Sequence, residues 1–302
     1  MKHRLYSTAC ALLAGSLLLF LGVGRPAAAS AAEGGKKIKI GFLVPQPDEP
    51  WFQYEWKFAE QAAKKYNFDL IKIGAVDGEK TLAAIDNLAA QGVRGFVICI
   101  PEVRLGPAIV ARAKANDMKL FTVDDQFVGG DGKFMDVYYM GIAARKIGKL
   151  VGESLMAELK QRKWNLAETG ACGITYDQLD TCHERSEGAT EALKAAGFPA
   201  SNIYVVPQKT TDIPGAFDAA NVLLTRHGTV KHWLIFSCND EGVLGAVRAL
   251  EGRGFAAADI IGIGINGQDL ADFQKTKPTG FFASVLLSPR RHGYETAEWM
   301  YK

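Results

Sequence analysis

The stretch KIKIGFLVPQPDEPWFQYEWKFAEQAAKKYNFDLIKI, residues 37–73, contains the unit from which the rest of the chain is built. Residues 38–44 are apolar and rich in β-formers, which predicts a strand. The segment PQPDEP then breaks the chain with three prolines. From 51 to 66 the apolar residues recur at helical spacing, and 69–73 returns to a strand pattern. The reading is therefore strand, polar corner, amphipathic helix, strand.

The same alternation continues. Strands are predicted over 95–100 and 119–123, with helices over 80–91 and 106–116 between them. A second series follows, with strands over 173–176, 203–206, 233–236 and 260–265 and helices over 182–196, 214–225 and 241–253. Runs such as GFVICI are apolar without interruption, as expected of parallel strands covered on both faces. Two successive β-α series predict an α/β chain with two doubly wound, Rossmann-like domains and parallel sheets. Residues 129–140, rich in Gly and Asp, read as the linker between them.

Open parallel sheets bind ligands beyond the carboxyl ends of their strands. Polar residues cluster at those ends: Gln46 to Glu49 after the first strand, Asp124 and Asp125 after the fourth, Asn239 and Asp240 after WLIFSC, and Asn266 after IIGIGI. If the two domains face one another, these groups share one cleft.

The amino terminus has a basic start (Lys2, His3, Arg4), an apolar run over 9–23 and small residues at 27–31, the pattern of a cleavable export signal over 1–29. The run is too short for a membrane span, so a periplasmic, exported chain is expected. Without the three basic residues Lys2, Arg4 and Arg25, the 35 basic residues fall just below the 33 acidic ones. That near-neutral balance, with no basic block, argues against nucleic acid. Cys99, Cys172, Cys182 and Cys238 form no C-x-x-C and have no histidines at metal-ligand spacing, so no metal and no cofactor are expected. Cys99 and Cys238 read as buried thiols in strand-like runs, and a Cys172–Cys182 disulfide stays open.

Each chemical signal has a plainer counterpart. Residues 262–267, GIGING, fit G-x-G-x-x-G, but the glycines lie inside a late strand and Phe282 stands where an acid is required. Asp124, Asp125 and Glu49 could be the carboxylates of a secreted glycoside hydrolase, or simply acceptors for sugar hydroxyls. Trp51 offers an indole to cover the C–H face of a sugar ring, or packs in the core with Phe52. Arg185, in TCHERSEG, could bridge two sugar oxygens with its planar fork, or be an ordinary solvated helix residue.

Longer motifs favour the binding reading. The segments KIGFLV (39–44), QPDEPWFQ (46–53) and EWKF (55–58) resemble the start of mature L-arabinose-binding proteins. So do DGEKTLAAIDNLAAQGVRGFVIC (77–99), TVDDQFV (122–128), LDT (179–181), EALKAAGFP (191–199), DIPGAFDAAN (212–221), VKHWLI (230–235) and ADIIGIGING (258–267). The resemblance spans about 37–301. It implies a type I periplasmic binding protein with a hinge: a first domain over 37–140, to which 288–302 return, and a second over 141–287. It implies a monosaccharide ligand, L-arabinose first, with D-galactose, D-fucose or another pentose as alternatives. The implied partner is the membrane permease of an ABC importer, the protein acting as a monomer and not as an enzyme.

By position, the sugar-contacting residues of the family fall on Glu49, Asp124, Asp125, Arg185, Asn239 and Asn266. Trp51 falls on the stacking aromatic, Thr181 on a cleft position, and Asp269 on a carboxylate supporting Arg185. Two substitutions depart from that pattern: Pro45 stands for a sugar-contacting lysine, and Cys238 for a larger methionine. The family also continues for roughly two dozen residues past Lys302, in a third crossover and a final strand, so a truncated, looser hinge is expected. A sugar-responsive transcriptional regulator shares this fold but needs an N-terminal helix-turn-helix, where this chain has an export signal.

Overall fold

Two parallel sheets of five strands each, flanked by helices, make up the fold in a computed structural model that describes residues 37–267 and 277–302. Residues 1–29, expected to be an export signal, and Asp269 lie outside the described residues. The first sheet contains β1 (Lys39–Val44), β2 (Asp69–Gly74), β3 (Gly95–Ile98), β4 (Lys119–Asp124) and β5 (Tyr138–Gly141) in the order β2-β1-β3-β4-β5. The second contains β6 (Thr169–Thr175), β7 (Ile203–Pro207), β8 (His232–Ser237), β9 (Ile260–Asn266) and β10 (Phe281–Leu286) in the order β10-β9-β8-β6-β7. Read from the first strand of each, the two orders are the same. Every strand pair is parallel.

The opening segment folds as its pattern predicts. Glu49 is the N-cap of α1 (Pro50–Tyr66), with Pro50 in the first turn, where a missing N–H costs nothing. The helix ends at Asn67, which takes a left-handed conformation. One face of α1, including Trp51, Phe52, Trp56, Ala59 and Ala62, packs on the first sheet around Phe42, Val97 and Phe121. Helices α2 (Gly78–Ala90) and α3 (Gly106–Ala115) cover the opposite face around Leu88, Phe96 and Ile98. In the second lobe, α6 (Ile213–Leu224) and α7 (Asp240–Gly252) enclose Trp233, while α4 (Ala144–Arg162) and α5 (Asp180–Ala195) cover Phe236.

The linker expected over 129–140 needs correction. Its last residues form β5, an edge strand paired with β4, and Val128 bridges Phe134 within it. The aromatic ring of Tyr138 stacks on Phe121, so this segment completes the sheet before the chain crosses to α4. Two elements had no counterpart in the sequence expectation: α4 and β10. After β10 the chain passes through a π-helical turn at Arg291–Glu295 into α8 (Thr296–Tyr301). This last segment packs on the first sheet, where Trp299 meets Phe121 and Tyr301 stacks on Phe68.

Candidate functional site: a cleft between two strand-end surfaces

The carboxyl ends of both sheets border one open cleft of about 550 Å³. Glu49, Trp51, Asp124, Asp125, Thr181, Arg185, Asn239 and Asn266 all line it. They come from the ends of β1, β4, β8 and β9 and from the start of α5, so a single surface collects residues up to 217 positions apart in the chain. Pro45, Gln46, Cys99, Cys182, Thr211 and Cys238 complete much of the wall.

Two of these residues carry an unusual backbone. Asp124 has φ +67° and Asn266 has φ +116°. The other non-glycine residues with positive φ, Asn67, Asp117 and Lys163, sit just past the ends of helices. Strain at strand ends that face a cleft is characteristic of positions fixed for binding. The surrounding structure holds Asp124: the Trp51 indole N–H donates to its Oδ2 at 3.0 Å, and the Tyr139 hydroxyl donates to its carbonyl at 3.0 Å. His292 Nδ1 hydrogen-bonds its Oδ1.

Behind Asp124 lies a buried acid–base cluster that sequence reasoning missed. His292 Nδ1 also lies 3.5 Å from Glu55, which is 0% exposed and whose carboxyl oxygens accept no hydrogen bond among the described residues. Burial, reinforced by Asp124, pushes the Glu55 carboxyl up to about 8, so it is protonated at neutral pH. Burial opposes the charging of His292, but Asp124 and Glu55 outweigh it and raise the imidazole to about 10. Burial also opposes ionisation of Asp124, yet His292 and Trp51 hold its carboxyl below the usual range. The favoured state is a neutral Glu55 beside an imidazolium–carboxylate pair. One ligand atom from each of these three residues falls within 4.8 Å of the others, the geometric minimum for a metal, but an imidazolium holds protons on both ring nitrogens and offers neither as a ligand.

The histidine reaches this position because Gly293 lets the π-helical turn touch α1. A Cβ added there would fall 2.0 Å from the Glu55 carbonyl oxygen. Trp51 is accordingly held twice, by its bond to Asp124 and by edge-on packing against His292, with ring centroids 5.4 Å apart.

Asp125 turns the other way. Its Oδ1 accepts from the backbone N–H of Thr181 at 3.4 Å, at the amino end of α5 across the cleft. Burial, then the neighbouring Asp124, raises its carboxyl to about 6. Gln46 and the Thr211 hydroxyl make a second bridge across the cleft, at 2.9 Å.

The second lobe supplies donors. Arg185 Nη1 donates to the Cys238 carbonyl at 2.6 Å, and its buried Nε has no partner among the described residues. The helix bearing it packs unusually closely on α4: a Cβ at Gly148 would fall 2.0 Å from the Arg185 carbonyl oxygen. Asn239 caps α7, accepting from the Gly242 N–H at 2.9 Å, while its Nδ2 donates to the Thr211 carbonyl at 2.7 Å and approaches Glu49 at 3.5 Å. Asp240, next to it, is buried and accepts from the Gly267 N–H at 2.8 Å, which fixes the turn that follows Asn266.

Cys99 and Cys238 are buried as expected, and so are Cys172 and Cys182; all four described cysteines are free. Cys99 and Cys238 lie one residue past the ends of β3 and β8 and face the cleft. Cys182 also lines the cleft, while Cys172 packs in the core of the second lobe, so the open Cys172–Cys182 disulfide is not formed.

The chain is 54% identical to an L-arabinose-binding periplasmic protein of Escherichia coli K12, over 92% of this chain and 85% of that protein. It is 50% identical to an ABC transporter L-arabinose-binding periplasmic protein of Azospirillum brasilense, over 89% and 81%. The fold also matches a solute-binding protein of Actinobacillus succinogenes solved with D-allose, with a TM-score of 0.73 at 20% identity over 88% and 91% of the two chains. Residues 37–302 match one family throughout, and the chain belongs to it: the periplasmic binding proteins and sugar-binding domains of the LacI family.

Proposed function

We propose that this protein binds a monosaccharide, L-arabinose first, in the cleft between its two sheets and delivers it to the permease of an ABC importer. One observation carries the proposal: eight polar or aromatic side chains, most of them buried, converge on one cleft from opposed strand-end surfaces. The names of two relatives at 54% and 50% identity support the choice of sugar. Export through a signal over residues 1–29, action as a monomer and the absence of catalysis belong to the same proposal.

The chemistry follows from the geometry. Each sugar hydroxyl both donates and accepts. Asp124, Asp125 and Glu49 offer acceptors, Arg185 and the amides of Asn239 and Asn266 offer donors, and the Trp51 ring faces the C–H surface. The free Arg185 Nε is a buried donor that a sugar oxygen would satisfy. Asp269, outside the described residues, is the proposed carboxylate support for that guanidinium. An analogue missing one hydroxyl leaves a buried partner unpaired, which costs up to ~10⁴ in discrimination. Ligand-driven closure of two lobes about a hinge, for which periplasmic binding proteins are the type case, gives a permease a closed, loaded form to recognise.

The described cleft carboxylates serve as acceptors in this reading and not as a hydrolytic pair. Asp124 is tied to His292 and Trp51, which favours a fixed acceptor over a nucleophile. Pro45 lines the cleft without a charged donor, which favours D-galactose, D-fucose or another pentose as secondary ligands. Calorimetric titration of the protein from residue 30 onward with L-arabinose, D-galactose, D-xylose and D-ribose tests the proposal. Micromolar or tighter binding of L-arabinose supports it, binding of another sugar alone moves the substrate, and no binding by a folded sample overturns it.

A further inference from the structure

Bordering the cleft is a second, open groove of about 1770 Å³ between the same two lobes. Residues 47–50, 76–78 and 101–102 bound it on the first lobe, and Tyr176, Gln178 and residues 210–214 on the second. Pro45, Gln46, Glu49, Leu179 and Thr211 line both spaces, and so form the wall between them. Trp51, Asp124, Asp125, Arg185 and Asn266 line the cleft alone.

Within that wall a ring of polar contacts passes from lobe to lobe twice. Gln46 Nε2 donates to Thr211 Oγ1 at 2.9 Å, and the Thr211 hydroxyl faces Gln46 Oε1 at 3.0 Å. The Thr211 carbonyl accepts from Asn239 Nδ2 at 2.7 Å, and the same nitrogen reaches Glu49 at 3.5 Å. The Glu49 N–H closes the ring by donating to the Gln46 carbonyl at 3.0 Å. Both ends of the Gln46–Thr211 bar stand on restrained backbone. Gln46 lies between Pro45 and Pro47, whose rings confine the chain on either side. Pro47 in turn packs on the end of β2, where a Cβ at Gly74 would fall 2.6 Å from its Cγ. Thr211 precedes Asp212, the N-cap of α6, whose carboxylate accepts from the Gly215 N–H at 2.8 Å. A link between groups already held in place loses little further conformational entropy.

We propose that Gln46 and Thr211 are specificity-determining residues: their bar closes the sugar site towards the groove, so a free monosaccharide is taken and one carrying a glycosidic substituent is refused. The selectivity rests on the function proposed above; the bar itself does not. A substituent on the sugar oxygen that faces the wall must part the two side chains. That strands Thr211, only 6% exposed, without its partner across the cleft. Asn239 and Glu49, joined to the bar in one ring, are disturbed with it. The groove beyond has room for a second sugar ring and carries hydroxyl acceptors in Asp48, Asp77 and Glu102. The bar, and not a lack of space outside it, is therefore what limits the ligand to one ring.

The test compares the wild type with Gln46→Ala, which removes the bar, and Thr211→Val, which keeps its bulk but cuts its bonds. Each is titrated by calorimetry with L-arabinose, its two methyl glycosides and its mono-O-methyl ethers. The wild type should bind every methylated sugar more weakly than the parent, by roughly ten- to two-hundred-fold. In both variants that penalty should shrink for the derivative methylated at the oxygen facing the wall and persist for the others, whose oxygens face the buried cleft. A sugar-independent readout is the rate at which N-ethylmaleimide labels the free thiols of the folded protein, mapped by mass spectrometry. Cys99, Cys182 and Cys238 line the cleft inside the bar, whereas Cys172 lies in the core and reports general unfolding. Labelling of the three cleft thiols should rise severalfold in both variants, with Cys172 unchanged. Equal methyl penalties in all three proteins, or a wild type that binds a glycoside as tightly as the parent sugar, would overturn the selectivity. Cleft thiols that react no faster in either variant would overturn the bar. Faster labelling in variants of a protein that binds no sugar would support the bar while sinking the functional reading.

Discussion

The two lobes share one strand order but present opposite chemistry to the cleft. The first lobe offers carboxylates: Glu49, Asp124 and Asp125, the second of them backed by the buried Glu55–His292 pair. The second offers a guanidinium, two side-chain amides and the N–H groups at the start of α5. A repeated fold has thus been divided into an acceptor half and a donor half. The division suits a neutral, polyhydroxylated ligand, since every hydroxyl can be satisfied in both senses only when the halves meet around it.

The sharpest way to break this contrast is to remove the support of the acceptor half. His292→Gln leaves Asp124 and Glu55 buried without their cation and should destabilise the protein by about 3 kcal/mol, the usual cost of breaking a buried ion pair. Thermal melts at several pH values give a second readout. Glu55 and His292 both bind a proton more tightly in the folded state, so they stabilise at low pH. The Glu55 contribution is lost as pH rises from its ordinary value towards about 8, and that of His292 as pH rises from about 6.5 towards about 10. The wild-type midpoint should therefore fall steadily from pH 6.5 to 10, and H292Q should flatten the upper part of that slope. Equal slopes in the two proteins would remove the charged cluster from the account.

On the donor side, Arg185→Ala should cost about 2–3 kcal/mol of sugar binding, the range for hydrogen bonds to a charged group, read by calorimetry. Gly148→Ala tests how that arginine is placed. The added methyl drives α4 from the Arg185 carbonyl, and overpacking of this kind costs about 1–3 kcal/mol of stability, with sugar affinity falling because the guanidinium moves. Intact affinity in a destabilised G148A would separate packing from positioning.

Smaller effects sharpen the contrast further. Asp125 is raised to about 6, so its ionised, better-accepting form is lost as pH falls through that value. Wild-type affinity should drop between pH 7 and 5, while Asp125→Asn should bind several-fold more weakly at pH 7 and show no such drop. Pro45→Lys adds a donor to the acceptor half and should change affinity by about 1 kcal/mol or less, in the direction of tighter binding.

Much of this contrast was legible in the sequence. The alternation of strand and helix patterns locates eight of the ten described strands closely or in part; β5 lies inside the expected linker, and β10 had no counterpart. Polar residues at strand ends identify Gln46, Glu49, Asp124, Asp125, Asn239 and Asn266 among the described cleft residues, because in a parallel sheet position along the strand fixes position in the fold. Trp51 and Arg185 were singled out by their chemistry, and Thr181 only by the resemblance. The acid–base cluster was not legible. Glu55 stands in the middle of an amphipathic helix, where a glutamate is ordinarily solvated, and His292 lies in the polar run SPRRHGYE. Their meeting depends on a close approach allowed by Gly293, across 237 residues, and no local pattern encodes it.

The most direct test of the donor–acceptor account is calorimetric titration with L-arabinose and its monodeoxy analogues. The account predicts tight binding of the parent sugar and a loss of ten- to ten-thousand-fold, roughly, for each removed hydroxyl, because each removal strands a buried partner on one lobe. Deoxy analogues that bind as tightly as the parent, or a folded protein that binds none of them, would contradict it.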